Sequence, residues 1–334
     1  MKTWQKFFMM AGIMALMGTL LAACGSGKNE TEGSAGTASV QPEKEQQASA
    51  DTAEEPASRS YTDSKGHSVE IPVHPQRIIY TGGEPGDLLA LGVKPVGAAL
   101  GVIKDQVAYP ELLDGIGDVG DLMGNPEKIA SLEPDLILMD AGGSYYEDGD
   151  YDLLAKIAPT VAYDRLSTNE RLTVFGEILG KQQEAEEWIS SYNAEVGKVT
   201  SAIGVKSGET ATVLLQLGKE LYVMGNSGFA ATLYENFKFQ PSARVKSDLI
   251  DKNERFAQIS DEVMADFMGD RLYVLTDEDD AARAKADSFA ASALWKSIPA
   301  VKNGQVFYVS TKWNFDDPET KKRLLTELPV IMKK

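Results

Sequence analysis

The sequence predicts an α/β protein of two lobes joined by a helical strut. Three observations carry this. β-prone and α-prone runs alternate over residues 77–163 and again from residue 211 onward, the pattern of parallel strands with helical crossovers. Between the two stretches lies the longest helical pattern in the chain. Cys24 is the only cysteine in 334 residues, so no internal disulfide braces the fold and the lobes must stand on apolar cores.

Taken in order from the N-terminus, Lys2 and Lys6 precede an apolar run over residues 7–21, and small residues lead straight into Cys24. A short positive region before a greasy core is the pattern of a secretory signal, residues 1–23, and the run is too short and weakly flanked for a membrane span. Leu21-Ala22-Ala23-Cys24 resembles a bacterial lipobox, in which cleavage leaves Cys24 as the new N-terminus carrying a thioether-linked diacylglycerol. Stable anchoring takes two or more acyl chains, because each buried methylene adds only ~0.8 kcal/mol. Residues 24–58 then form the lipidated cysteine and a tether rich in Gly, Ser, Ala, Thr, Glu, Gln and Lys, without an aromatic residue. A coil of that length spans roughly 30–35 Å, enough to lift a domain off a membrane and keep it close.

The globular part opens with YTDSKGHSVEI, two β-prone runs about a Ser-Lys-Gly turn, which read as a hairpin. Strands are expected at residues 77–81, 96–99, 135–139 and 160–163. GDLLALG reads as a short helix ending at Gly92. In NPEKIASLEP, Asn125 is a natural N-cap and Pro126 occupies the first helical position, where its missing N–H costs nothing. Together these make an N-terminal lobe, residues 59–166. Leu172, Phe175, Ile178 and Leu179 then recur at helical spacing up to Gly180, a C-cap. Ala185, Trp188, Ile189, Tyr192, Val196 and Val199 follow at spacings of three and four, giving a helix of roughly 30 Å. That connector is residues 167–204, with Trp188 on its packed face. The C-terminal lobe, residues 205–334, is expected to hold strands at 211–217, 221–224, 271–276 and 306–309. Its helices fall near 229–237, 261–267, 289–296 and 318–328.

Catalytic and metal-binding patterns are missing. His67 and His74 are the only histidines and both lie in or beside the opening hairpin, away from any strand end where a triad would sit. The GNSGF run puts its second glycine one residue early for a nucleophile elbow. EDGDYD offers Asp148, Asp150 and Asp152, yet Leu153 and Pro159 stand where a calcium loop needs Gly and Glu, so it reads as a polar loop. No Gly-rich phosphate loop is present. The formal charge of −17 argues against nucleic acid and against broad adsorption to anionic lipid. No enzyme, resident cofactor or protein-held metal is expected.

Several motifs narrow the reading. HPQRIIYTGGEPGDLLALGVKPVGA, NPEKIASLEPDLILMD, KIAPTVAY, LWKSIPAVKNGQVFYV and WNFDDPET, in that order, resemble the ferric-siderophore and cobalamin-binding lipoproteins of ABC importers. Within that group they are most similar to the ferric-hydroxamate-binding lipoproteins of Gram-positive bacteria. The resemblance runs from about Tyr61 to the C-terminus. It implies two Rossmann-like lobes joined by a single long α-helix, the class III periplasmic-binding-protein architecture, with the ligand in the interlobe cleft. It also implies a monomer, anchored by Cys24 to the outer face of the cell membrane, that captures a ferric siderophore and hands it to an ABC permease with its ATPase.

A siderophore fills the coordination sphere of iron with its own oxygens, so the protein needs an aromatic and apolar pocket with a few oriented polar groups. Candidates at strand ends are Tyr80, Tyr145 and Tyr146; Tyr163, at the entry to the helical region, is a lesser one. The resemblance adds Tyr222, Trp313 and Phe229; Phe229 lies where those proteins show an aromatic–Gly–Arg run, and here the stretch reads Gly228-Phe229-Ala230, without the arginine. For the permease-facing surface it implies one acidic residue per lobe: Asp87, with Glu84 able to share the role, and Glu262. Acidic residues in a first helical turn also offset the macrodipole, and both roles can coexist. A triply anionic catecholate or ferric citrate would want clustered arginines, whereas the obvious strand-end positions are aromatic, glycine or acidic. That favours a hydroxamate; Arg165, Arg171 and Arg244 are the cations that could reach a cleft, and cobalamin is a further alternative. From other classes, a surface adhesin would need no cleft and an extracellular lipoprotein enzyme would need a catalytic set.

Overall fold

The computed structural model describes residues 57–101, 103–143, 146–217, 220–276 and 291–333. Cys24, the segment before it, the tether up to residue 56 and Tyr145 lie outside the described residues. None of the described helices is long and apolar enough to cross a membrane.

β1 (Ser58–Thr62) and β2 (Ser68–Pro72) form the expected antiparallel hairpin. Its turn is fastened by the buried carboxylate of Asp63, which accepts from the backbone N–H groups of Lys65, His67 and Ala162. The first sheet contains β3 (Ile78–Tyr80), β4 (Gly97–Ala98), β5 (Gly117–Asp118), β6 (Leu136–Asp140) and β7 (Thr160–Tyr163) in the spatial order β5-β4-β3-β6-β7, all parallel. Parallel strands have both faces covered, so their sequences run apolar without alternation. Alternate residues feed two cores: Tyr80, Leu138 and Tyr163 point to one, Ile79, Ile137 and Met139 to the other. The crossovers include α1 (Gly86–Ala90), α2 (Pro126–Ser131) and α3 (Asp148–Leu154). Asn125 caps α2 as expected, accepting from the N–H groups of Glu127 and Lys128.

The EDGDYD run is not a loop; it starts α3. Tyr151 and Leu154, three residues apart, are buried together, and Tyr151 stacks on His67 at 3.7 Å. Burial of that apolar edge overrides the polar composition.

α4 (Thr168–Leu179) begins with a capping box between Ser167 and Glu170 and ends at Gly180, which takes the left-handed conformation. α5 (Gln182–Ile203) is the strut, 22 residues and so about 33 Å long. Ala185, Trp188 and Ile189 pack on the core of the first lobe, and Val199 and Ile203 pack on that of the second. One helix therefore reaches both lobes.

The second sheet contains β8 (Thr210–Leu217), β9 (Glu220–Met224), β10 (Gln240–Pro241), β11 (Phe256–Gln258), β12 (Arg271–Thr276) and β13 (Val306–Ser310). Its path is β11-β9-β8-β12-β13 with β10 beside β8, and only β9 runs antiparallel to its neighbours β8 and β11. Around it lie α6 (Gly228–Ala231), α7 (Ala243–Asp248), α8 (Asp261–Met264), α9 (Ala293–Ser297), α10 (Pro299–Lys302) and α11 (Pro318–Ile331). Every residue of β12 is buried, as a central strand requires. α11 packs on α1 and α5, so the C-terminal helix crosses back to the first lobe.

Candidate functional site

Between the lobes lies a cleft of about 540 Å³. From the first lobe it is lined at the C-terminal ends of β3, β6 and β7 by Tyr80, Asp140 and the run 163–167. From the second it is lined by Met224, Asn253, Arg255, Phe256 and the run 314–316. Open α/β sheets present ligands at carboxyl strand ends because the crossover loops part there.

A chain of hydroxyls runs along its first-lobe wall. Tyr163 Oη donates to Tyr80 Oη (3.0 Å) and to the carbonyl of Thr81 (3.1 Å), and Tyr80 Oη donates to Asp87 Oδ2 at 3.0 Å. Gly82, with φ of +105°, makes the close approach possible: a Cβ there would lie 2.9 Å from the Tyr163 hydroxyl. Burial pushes both tyrosines well above the ordinary phenol range, so both stay protonated donors.

Arg171 is the hub beneath. Its Nε meets Asp87 Oδ2 at 2.8 Å, and its Nη2 meets Glu84 Oε2 at 3.0 Å and Asp316 Oδ1 at 3.5 Å. Asp316 belongs to the second lobe, so one guanidinium holds carboxylates of both. Burial raises Asp87 even against the pull of Arg171. Glu84 is pushed well above the carboxylate range by burial and by Asp316. Burial works to raise Asp316 as well, but Arg171 and then Lys321 hold it down at about 2. The two facing acids thus divide, one up and one down.

The third charged feature is cationic. Arg165, two residues past β7, crosses to the second lobe, where its Nη1 donates to the carbonyl (3.0 Å) and Oδ1 (2.8 Å) of Asn253. Arg255 lines the same side of the cleft.

Of the residues expected to touch a ligand, Tyr80 and Tyr163 line the cleft. Tyr146 does not; it packs against the outer core of the first lobe, with Lys65 Nζ 5.3 Å above its ring. Tyr222 stands on β9 with its hydroxyl bonded to Glu220, and its ring meets the edge of Phe256, which does line the cleft. Phe229 is wholly buried against Tyr273, and Trp313 sits in the same core. The cleft is reached instead by the next residues, Asn314 and Phe315.

Among the docking acids, Glu262 is exposed on α8. Asp87 is fully buried under Arg171 and Tyr80, a correction to its expected surface role: a carboxylate with no exposed area cannot meet a partner. Glu84 faces the cleft and the same hub. Arg244 is paired with Asp248 and Asp266 outside the cleft. Sequence reasoning missed Asn253, Arg255 and Phe256, which lie in a stretch of turns and one three-residue strand without periodicity.

Two lobes, one strut and a cleft lined from both sides define a solute-binding protein. Residues 78–312 match the model of the family described as periplasmic binding protein, and the chain belongs to that family. The family is one of binding proteins, not enzymes. The iron(3+)-hydroxamate-binding protein FhuD of Bacillus subtilis is 31% identical over 264 residues, covering 75% of this chain and 79% of that protein. The probable siderophore-binding lipoprotein YfiY of the same organism is 31% identical over 263 residues, 75% and 80% of the two chains. Among solved structures, the FhuD protein from S. pseudintermedius superposes with a TM-score of 0.71 at 26% identity, covering 82% of this chain and 98% of its own. SirA of Staphylococcus aureus complexed with staphyloferrin B gives 0.70 at 25% identity, with coverages of 82% and 98%.

Proposed function

We propose that this protein captures a ferric siderophore, of the hydroxamate type by preference, in the interlobe cleft and delivers it to an ABC permease for iron uptake. The observation that carries this reading is the cleft itself. It offers about 540 Å³, within the range of small-molecule sites, and joins tyrosine, phenylalanine and aliphatic walls to six carboxylates and three arginines. A ligand that already wraps its iron in oxygens needs such a shell and no metal-ligating side chains. The naming of FhuD for iron(3+)-hydroxamate supports the ligand class.

In this proposal Tyr80, Tyr163 and Phe256 contact the ligand, and Glu262 meets the permease from the second lobe. The lobes are residues 59–166 and 205–334, with 167–204 between them. In the same proposal Cys24 carries the lipid and the protein is a monomer tethered outside a Gram-positive cell membrane; the naming of YfiY as a lipoprotein supports the anchor. Titrating the purified protein with ferric desferrioxamine B while following tryptophan fluorescence tests the reading. Saturable submicromolar quenching, weakened by Phe256→Ala, is expected. Silence with this complex and with ferric citrate, ferric enterobactin and cobalamin would overturn it.

A further inference from the structure

We infer that the ligand carries a pendant carboxylate, outside the iron-binding groups, seated between Arg165 of the first lobe and Arg255 of the second. This rests on the siderophore reading and adds a charge to one end of the ligand. Arg165 is held by Asn253 through Nη1 alone. Its Nη2 is buried, faces no hydrogen-bond acceptor among the described residues, and belongs to a side chain that lines the cleft. A buried donor left without an acceptor is destabilising, more so when charged, so a ligand acceptor there gains what the free protein lacks.

Arg255 stands two residues beyond Asn253. Its backbone is pinned, since its carbonyl accepts from Gly225 N–H (2.7 Å) and Ser227 Oγ (3.0 Å), yet its guanidinium has no ion pair or hydrogen bond among the described residues. Burial and the nearby charge of Arg255 both lower the pKa of Arg165, as expected of two cations facing one space. Two forked donors with free N–H groups fit a planar carboxylate.

Acidic residues also line the cleft, and they must be weighed. Asp164 is bonded to Lys65 at 3.2 Å, Glu170 to Ser167, and Glu235 to Asn226 at 2.8 Å. Glu84 and Asp316 are spent on Arg171, and Asp140 accepts from Gly142 N–H at 2.9 Å. Asp316, Asp140 and Glu254 act on Arg165 through space, helping to keep it charged, and Arg255 in turn helps to hold the Asp316 carboxyl down. The acids are committed to the scaffold. Among the described residues, the cationic groups of the cleft left with unpaired N–H donors are Arg165 Nη2 and the Arg255 guanidinium.

A matched series isolates the pendant charge: ferrioxamine B with its terminal ammonium, the N-acetyl derivative with none, and the N-succinyl derivative with a carboxylate, all on one ferric trihydroxamate core. Each is titrated into the purified full chain and its Arg255→Gln and Arg165→Lys variants, at low and high salt. The succinyl form should bind at least about tenfold tighter than the acetyl form, and the ammonium form weakest. Arg255→Gln, whose side chain makes no hydrogen bond or ion pair among the described residues, should remove most of that advantage, bringing the succinyl form close to the acetyl form on the same variant; Arg165→Lys should keep part of it. Equal binding of the three, preference for the ammonium, or a succinyl advantage untouched by Arg255→Gln would overturn the inference. If none of the three binds, the hydroxamate reading fails, and ferric citrate decides the inference. Quenching by ferric citrate that Arg255→Gln abolishes sustains the anion seat; silence there as well removes it.

Discussion

Raising the pH from about 5 to about 7.5 carries the carboxylate of Asp317 through its titration, and the folded protein should lose stability as it does so. Asp317 caps α11, accepting from the N–H groups of Glu319 (3.0 Å) and Thr320 (3.1 Å) and from Thr320 Oγ1 (2.8 Å). It is fully buried, and burial pushes its pKa up to about 7, against the Thr320 hydrogen bonds and with help from Asp87. A folded pKa above the unfolded one means the folded chain holds a proton that the unfolded chain has released. The contribution is complete below about pH 4 and is lost as pH rises to about 7, at ~1.4 kcal/mol per pH unit inside that window. Glu84 and Asp87, also raised, tilt the curve the same way; Asp316, held at about 2, acts with the opposite sign and only below about pH 4. Asp317→Asn keeps the amide oxygen as an acceptor for the helix and removes the titration. Urea denaturation followed by tryptophan fluorescence at the two pH values, for both proteins, measures the difference. Wild type should lose about 2–3 kcal/mol more than Asp317→Asn over the interval. Parallel losses would refute the reasoning.

Other expectations follow from the same geometry. Arg171→Met should cost about 3–5 kcal/mol in chemical denaturation, because it strands the buried charge of Asp87 rather than merely deleting a contact. Phe229→Ala should cost about 3–5 kcal/mol, since the ring is wholly core. Phe256→Ala, at 51% exposure on the cleft rim, should change stability by less than about 0.5 kcal/mol while weakening ligand binding. Glu262→Lys should leave melting temperature and affinity unchanged and reduce iron uptake by cells; unchanged uptake would remove Glu262 from the docking surface.

Secondary structure was legible wherever one local pattern decided it. The strands over Thr160–Tyr163 and Arg271–Thr276, the cap at Asn125 and the stop at Gly180 all follow from apolar runs or single cap residues. The site was legible in part: Tyr80 and Tyr163 stand at strand ends and so face the cleft. Asp87 was misplaced because its burial depends on Arg171, 84 residues away, and no local signal announces that pairing. Phe229 and Trp313 were expected in the pocket as aromatics, yet ring burial in a core and ring exposure in a cleft have the same sequence. Arg255 and Phe256 follow Asn253, a non-glycine residue at φ of +60°, in a run too irregular to predict.

The last helix has a consequence for the order in which the chain can acquire its structure. Asp316 and Glu84 meet although 232 residues separate them, Asp317 packs against Gly86, and Arg323 binds the carbonyl of Ala108 and the carboxylate of Glu111. During synthesis the loop around α1 therefore emerges long before the residues that seal it, and the first lobe stays unfinished until residues 316–323 have been made. A premature stop before residue 317 would thus strike the beginning of the protein as hard as its end, leaving Asp87 and Tyr109 with an open flank.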